Sequence, residues 1–599
     1  MGKFNINSLY YVDGYKISHK QMLAPNTTKL YGTWIPRTIK RAPKGINKIV
    51  SFGQQLVWKW IHDEFEENFF FRKELIEKEH PFTNYYSLKE RALSFTKDMS
   101  LYIGMEYDGS HFEELWDLGY LPIKVKSLPE GIQTDPNIPH MTFVNTVDGF
   151  AWLTLFLETI VSSLAWKPAT SATISLQYKR MLIKWVLKTD PNNAWLIPYL
   201  CHDFSARGLS PWDMISSGLG HSTSFKGSDT LAVIPAARYF YNEPENIVSI
   251  NSVNASEHSV TCTGIFYYES LLKKGKLNNE IEWYYSFDLP CEGSIDNPDY
   301  LSIAECLNLR DWLIKFPKGI LSSVDDTMNL WKKITHVYAR LKPEIMSREG
   351  KLVCRPDSGN PVDIITGLKY ETTLENTILN SSLYLENNKL YTVDYDYDEV
   401  KDLNYNYRKN NLVCDNINEI KGVVELLWDI FGGTINEQGY KILDQHVGTI
   451  YGDSINLDRQ TQIYERLESK GFAVTNVVLG IGSFTYQYNT RDTFGFAAKG
   501  SWFEIVNSDG TKNNFDIYKN PITDDGTKKS LRGLCMVDKK IENNNIFVKT
   551  ECTIEEEDTG LLQIIYEDGK FYNQTSLEDI RIRLDNELKL ELNKEGLLL

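Results

Sequence analysis

KLVCRPDSGNP, residues 351–361, is a short apolar run that stops abruptly at a charged segment carrying glycine and two prolines. Leu352, Val353 and Cys354 suit a strand buried on both faces, and the residues that follow suit a ligand site. Arg355 offers a planar fork for an anion or a carbonyl, Asp357 can accept hydrogen bonds from a ribose diol, and Gly359 lets backbone approach a ligand closely. On turn chemistry alone, the same residues serve equally well as a tight turn with a surface Arg–Asp pair.

The same pattern recurs along the chain. IVSF (49–52), IVSI (247–250), GILSSV (319–324) and VVLGI (477–481) read as buried strands, and several run into polar segments: SVNASEH, Asp325-Asp326 and GSFTYQ. Ligands of parallel sheets sit beyond the carboxyl ends of the strands, so the chain reads as α/β with a barrel-like catalytic unit. Tyr178, Met181, Leu182, Trp185 and Val186 form a core-facing helical stripe, with Lys179, Arg180, Lys184 and Lys188 outside it. Residues 370–411, rich in Asn, Asp, Tyr and Glu, read as an insertion with a hairpin turning at Asn387-Asn388. Ser576 and Asp579 make a capping box for a terminal helix bearing Ile580, Leu584 and Leu588.

Bulk properties bound the function. A chain of 599 residues can bury a large site between packed units. A net charge of -16 excludes a broad nucleic-acid surface but leaves small phosphorylated ligands open. The eight scattered cysteines form no CxxC pair, the amino terminus has no signal-peptide order, and the apolar stretch 151–166 carries Glu158 and is too short to cross a bilayer. A cytoplasmic protein without membrane or nucleic-acid partners is the expectation.

Further motifs could carry chemistry. In HDFSARG (202–208), Phe204 can stack on a flat ring while Arg207 meets a phosphate. In FKGSDT (225–230), Asp229 can accept from a carboxamide, though it serves equally as a turn or cap residue. SVNASEHS (252–259) presents His258 as a possible phosphoryl acceptor. Asp325, Asp326 and Asp453 add carboxylates that could orient the histidine, bind ribose or hold Mg2+ through water. GIGSF (480–484), followed by Thr490-Arg491-Asp492 and Lys499, could cradle phosphate, with Lys528 and Lys529 extending the basic supply.

Taken in order, VDGYK (12–16), HDFxxRG, FKGSDT, SVxAxEHS, RPDSGNP, Gly452-Asp453, the GxG of 480–482 and TRD (490–492) resemble the nicotinamide phosphoribosyltransferases of the type II phosphoribosyltransferase family. The resemblance runs from about residue 8 to the end and is weakest over 370–411 and parts of 50–120. It implies an irregular (β/α) barrel-like domain over 166–495, carrying the 370–411 insertion, and a second, mixed β-rich domain built from 1–165 and 496–599.

The resemblance also implies roles. Phe204, with Tyr15 from a second subunit of a homodimer, would sandwich the pyridine ring. Asp229 would bind the carboxamide and disfavour nicotinate, with Asp13 and Arg355 in the same pocket. Asp357, Asp453 and Ser252 would lie near the phosphoribosyl group. Arg207, Gly452, Gly482 and Ser483 would contact phosphate, and Arg37, Arg491 and Lys499 would receive the diphosphate. His258, partnered by Asp326, would be phosphorylated when ATP hydrolysis is coupled to synthesis, with Mg2+ as cofactor. The implied substrates are nicotinamide, 5-phosphoribosyl 1-diphosphate and ATP. The competing readings are nicotinate phosphoribosyltransferase and a nucleotide-binding relative without activity. Ser483 and Phe484 stand where the family has glycine, and Met328 and Asn329 replace a Tyr-Asp pair.

Overall fold

The computed structural model describes residues 6–71, 85–397, 405–519, 531–542 and 545–597. Lys528 and Lys529 lie outside the described residues.

The apolar runs build a curled parallel sheet. Its strands are β1 (Cys201–Phe204), β2 (Asn254–Ala255), β3 (Leu321–Val324), β4 (Leu352–Arg355), β5 (Val447–Tyr451) and β6 (Val477–Gly482). They lie side by side in the order β1-β6-β5-β4-β3-β2, every pair parallel. Single parallel bridges, Asp203 to Ser228 and Gly227 to Asn251, carry the curl on past β1. Helices such as His258–Lys273 and Tyr300–Lys315 fill the connections, as parallel pairing requires.

Two of the apolar runs behave differently. Ile49–Val50 is a buried strand, but it pairs antiparallel with Gln133–Thr134, outside the curled sheet. Residues 247–250 form no strand: Ile247 and Val248 are exposed, and only Ser249 and Ile250 turn inward before the bridge at Asn251. A four-residue apolar run cannot by itself distinguish a strand from an irregular segment anchored by one or two side chains.

A second layer is a seven-stranded antiparallel sheet. Thr27–Ile35 pairs on one side with Ala497–Val506 and on the other with Met141–Asn145. Ile123–Ser127 and Gln563–Glu567 continue it, so both ends of the chain share one sheet. The two layers share a continuous hydrophobic core, from Trp34 and Phe143 to Leu352 and Leu479.

The helical stripe lies in α1 (Glu158–Thr189), where Tyr178, Leu182 and Val186 are buried and Met181 and Trp185 pack against the core. The basic residues beside the stripe are not left to solvent. Lys179 pairs with Asp585, Arg180 with Glu591 and Lys184 with Glu595, all on or just beyond the terminal helix α2 (Leu577–Lys594). The capping box at Ser576 and Asp579 starts α2 as the sequence suggests. In the 370–411 insertion, Leu383–Glu386 and Lys389–Tyr397 pair through Asn387 and Asn388, at φ 52° and 59°. Asparagine tolerates that left-handed turn. Among the described residues no helix is long and apolar enough to cross a membrane.

Candidate active site

The carboxyl ends of the curled sheet converge on one opening. After β4, Gly359 turns at φ 92°, and Asn360 accepts the N–H of Val362 to start a short helix with Pro361 in its first turn. RPDSGNP is therefore both turn and site: its turn chemistry holds Arg355 and Asp357 at the opening. A cavity of about 690 Å³ there is lined by Phe204, Arg207, Asp229, His258, Arg355, Asp357, Gly452, Asp453, Gly482 and Ser483. A second cavity, about 900 Å³, passes Ser322, Val353 and Thr449 inside the sheet and reaches Lys351 and Gln445 at the opposite end. Phe204, Asp229 and Arg355 line both and form the neck between them.

Charge at the neck is held in place. His202 donates through Nε2 to Asp229 Oδ1 at 3.0 Å, and the Ser252 hydroxyl donates to the same oxygen. Burial pushes the Asp229 pKa up, but these two hydrogen bonds and the positive charge of Arg355 outweigh it and hold the carboxyl below its usual value. Ser252, grouped by the resemblance with the phosphoribosyl contacts, lines the 900 Å³ cavity and not the 690 Å³ one. Arg355 donates through Nη2 to the Ser256 carbonyl, while its buried Nε has no hydrogen-bond partner. That fork still has donors to give a ligand.

His258 opens its helix with Nδ1 3.0 Å from Thr327 Oγ1, and Nε2 3.7 Å from Asp326 Oδ1 and 4.0 Å from Asp357 Oδ2. Asp326 Oδ2 accepts the backbone N–H of Asp357 at 2.9 Å and of Ser358 at 2.7 Å, together with the Ser358 hydroxyl. Asp326 therefore ties the RPDSGNP turn to the histidine. Asp325 has a different place from the one its sequence suggested: it is fully buried, accepts from Ser323 and Tyr338, and has its pKa raised by burial. A carboxylate so enclosed reaches neither ribose nor Mg2+.

The glycines divide the labour. A Cβ on Gly480 would stand 2.4 Å from the Phe204 ring, and one on Gly452 would stand 3.1 Å away, so both glycines make room for that ring. Gly482 has only a distant carbonyl near it and stays open to the cavity. Ser483 fits because Gly208 lacks a side chain: a Cβ there would fall 2.2 Å from that of Ser483. Phe484 packs on Tyr488 at the rim. Asn329 caps the short helix Leu330–Lys332, and Met328 packs against the core.

Asp13, Tyr15, Arg37, Arg491 and Lys499 do not line the 690 Å³ cavity. Asp13 exchanges hydrogen bonds with Thr159, and Glu158 pairs with both Lys16, at 2.8 Å, and Lys499, at 2.9 Å. Tyr15 is 66% exposed beside them, its ring 5.5 Å from that of His19 and 5.3 Å from the Lys16 ammonium. Arg37 donates to the Gly495 carbonyl, and Arg491 lies in the same turn.

A family model for the nicotinate phosphoribosyltransferase (NAPRTase) family matches residues 199–553, the span that holds the curled sheet and every residue of the cavity. The chain belongs to this family. A nicotinamide phosphoribosyltransferase of Acinetobacter baylyi is 35% identical over 598 residues, covering 98% of each chain. Proteins of the same name from Xanthomonas campestris pv. campestris and Mycoplasma genitalium are 28% and 26% identical, over 78% and 89% of this chain and 80% and 95% of their own. In this family member His202, Glu158, Thr327 and Ser358 have contacts that no sequence motif announces. Only His202 had a usable signal, since it shares a strand face with Phe204 two residues on.

Proposed function

We propose that the protein is a pentosyltransferase that joins nicotinamide to 5-phosphoribosyl 1-diphosphate, yielding nicotinamide mononucleotide and diphosphate, the first step in salvaging nicotinamide for NAD. One observation carries the choice of base: Asp229, held ionised at the neck beside Phe204, faces the space a flat ring would fill. A carboxamide N–H can donate to it, whereas the carboxylate of nicotinate would be repelled. The relatives named nicotinamide phosphoribosyltransferase support the same reading.

The pyridine nitrogen attacks the anomeric carbon as diphosphate leaves, and no protein nucleophile is required. Phe204 and Asp229 orient the base. Asp357 and Asp453 face the cavity where the ribose hydroxyls would lie, and Arg207 and the open backbone at Gly482 face the 5′-phosphate. Catalysis comes from this positioning and from cations meeting the departing charge. Mg2+ travels with the diphosphate substrate. Among the described residues no group of three or more His, Cys, Asp or Glu could hold a metal.

Arg37, Arg491, Lys499 and Tyr15 belong, in this reading, to the site of a partner subunit, and the protein works as a homodimer with shared sites. The exposure of Tyr15 and its absence from the cavity lining support that arrangement. ATP coupling proceeds through phosphorylation of His258, whose two carboxylate neighbours and Thr327 hold the ring at the cavity wall.

The test is turnover with nicotinamide or nicotinate, phosphoribosyl diphosphate and Mg2+. Nicotinamide mononucleotide should form, with nicotinate used far less well. Preference for nicotinate, or no product, would overturn the proposal.

A further inference from the structure

The neck of the cavity contains a residue whose role lies behind the ligand. His202 is buried, with only 8% of its surface exposed, yet its ring reaches the one carboxylate that meets the base. Three contacts fix it. A Cβ on Gly227 would stand 2.9 Å from His202 Nδ1, so the absence of a side chain there seats the imidazole. The Phe204 ring lies against it, centroids 4.8 Å apart. Nε2 meets Asp229 Oδ1 at 3.0 Å. Because an ionised carboxylate only accepts, Nε2 must carry the hydrogen, which sets the tautomer.

The consequence lies in which oxygen is used. His202 and Ser252 both donate to Oδ1, and no hydrogen bond from a described residue reaches Oδ2. One oxygen is anchored, and its twin is left as an acceptor beside Phe204. We propose that His202 is a specificity-determining positioning residue: its Nε2–H, assisted by Ser252, fixes Asp229 so that Oδ2 alone faces the ligand and selects a carboxamide over a carboxylate. This rests on the nicotinamide reading above and adds a residue that acts through Asp229.

The geometry fixes the variants to make. His202→Gln keeps an N–H donor near the position of Nε2, His202→Phe keeps the flat ring and loses the donor, and Ser252→Ala removes the second donor. Wild-type enzyme is assayed first with both bases; if it makes no nicotinamide mononucleotide, the function fails and not this inference. With wild type active, His202→Phe should raise the KM for nicotinamide about tenfold, the size of one lost hydrogen bond to a charge, with a smaller change in kcat. It should narrow the nicotinamide-to-nicotinate preference by a similar factor. His202→Gln should recover most of both, and Ser252→Ala should shift both in the same direction by less.

Calorimetric binding of phosphoribosyl diphosphate separates this from misfolding, because a folded His202→Phe binds it as wild type does. If His202→Phe binds that substrate normally and keeps the wild-type KM and base preference, the inference is wrong. It is equally wrong if His202→Gln is no better than His202→Phe. If His202→Phe fails to fold, His202→Gln and Ser252→Ala decide: wild-type preference in Ser252→Ala together with lost preference in a folded His202→Gln would overturn it.

Discussion

Gly480, on β6, leaves the space that the ring of Phe204, at the end of β1, occupies: a methyl group there would stand 2.4 Å from the ring. A glycine two residues before the open Gly482 thereby makes room for Phe204. Gly480→Ala should push Phe204 out of the neck and lower kcat/KM for nicotinamide at least tenfold, as misplacement of a binding group does. Affinity for phosphoribosyl diphosphate should change much less. Steady-state kinetics with each substrate varied in turn will check this, and a fall confined to phosphoribosyl diphosphate would contradict it.

Much of this site is legible in the sequence because its residues follow strands directly. Arg355, Asp357, Gly452 and Gly482 need only the rule that ligands meet strand ends. The helix containing Tyr178 and Leu182 and the hairpin at Asn387-Asn388 are equally direct, since periodicity and turn chemistry act over a few residues. Asp325 defeats such reading: nothing local distinguishes a carboxylate turned into the core, satisfied by Tyr338 thirteen residues on, from its neighbour Asp326, which meets the RPDSGNP turn. Lys179 and Arg180 beside the α1 stripe fail for the same reason, their partners lying about 400 residues away on α2. The pairing of Thr27–Ile35 with Ala497–Val506 is likewise beyond any local pattern.

Replacing Asp229 should change what the enzyme accepts. Asp229→Ala should raise the KM for nicotinamide roughly tenfold to a hundredfold, the range for a hydrogen bond to a charged group. Asp229→Asn, whose amide can donate to a carboxylate, should gain activity on nicotinate relative to wild type. Unchanged nicotinamide kinetics in both would remove Asp229 from the base pocket.

Shared sites predict complementation. Tyr15→Ala and Asp229→Ala should each be impaired alone. Refolded together in equal amounts, they should recover about a quarter of wild-type activity, because half of the dimers are mixed and each holds one intact site. No recovery would place Tyr15 and Asp229 on the same chain's site.

The coupling histidine can be tested by label. With γ-labelled ATP, the wild type should carry acid-labile phosphate that His258→Ala lacks, while His258→Ala should still form some nicotinamide mononucleotide without ATP. Label retained in the variant would assign the acceptor elsewhere.

Acid should loosen the fold through buried imidazoles. Burial lowers the pKa of His140 from 6.5 to about 3. Between those values the unfolded chain binds a proton that the folded chain refuses, so the contribution is whole above pH 6.5 and is lost as pH falls through that window. His140 alone should remove about 1.4 kcal/mol per pH unit there. His140→Gln should make the slope of unfolding free energy against pH, taken from denaturant titrations, shallower by that amount. An unchanged slope would show that His140 is not held neutral.

The antiparallel layer has a consequence for how the protein is made. Thr28 meets Glu504, 476 residues later, so although one edge of this early strand pairs with Met141–Asn145 much sooner, the other must wait until nearly the whole chain has been translated. All strands of the curled sheet, residues 201–482, emerge before that partner does. In vectorial synthesis the curled sheet and its cavity can therefore assemble first, while one edge of the amino-terminal strand stays unpaired and dependent on protection from aggregation. Stalled or prematurely terminated chains would present that open edge, and chaperone engagement should concentrate there.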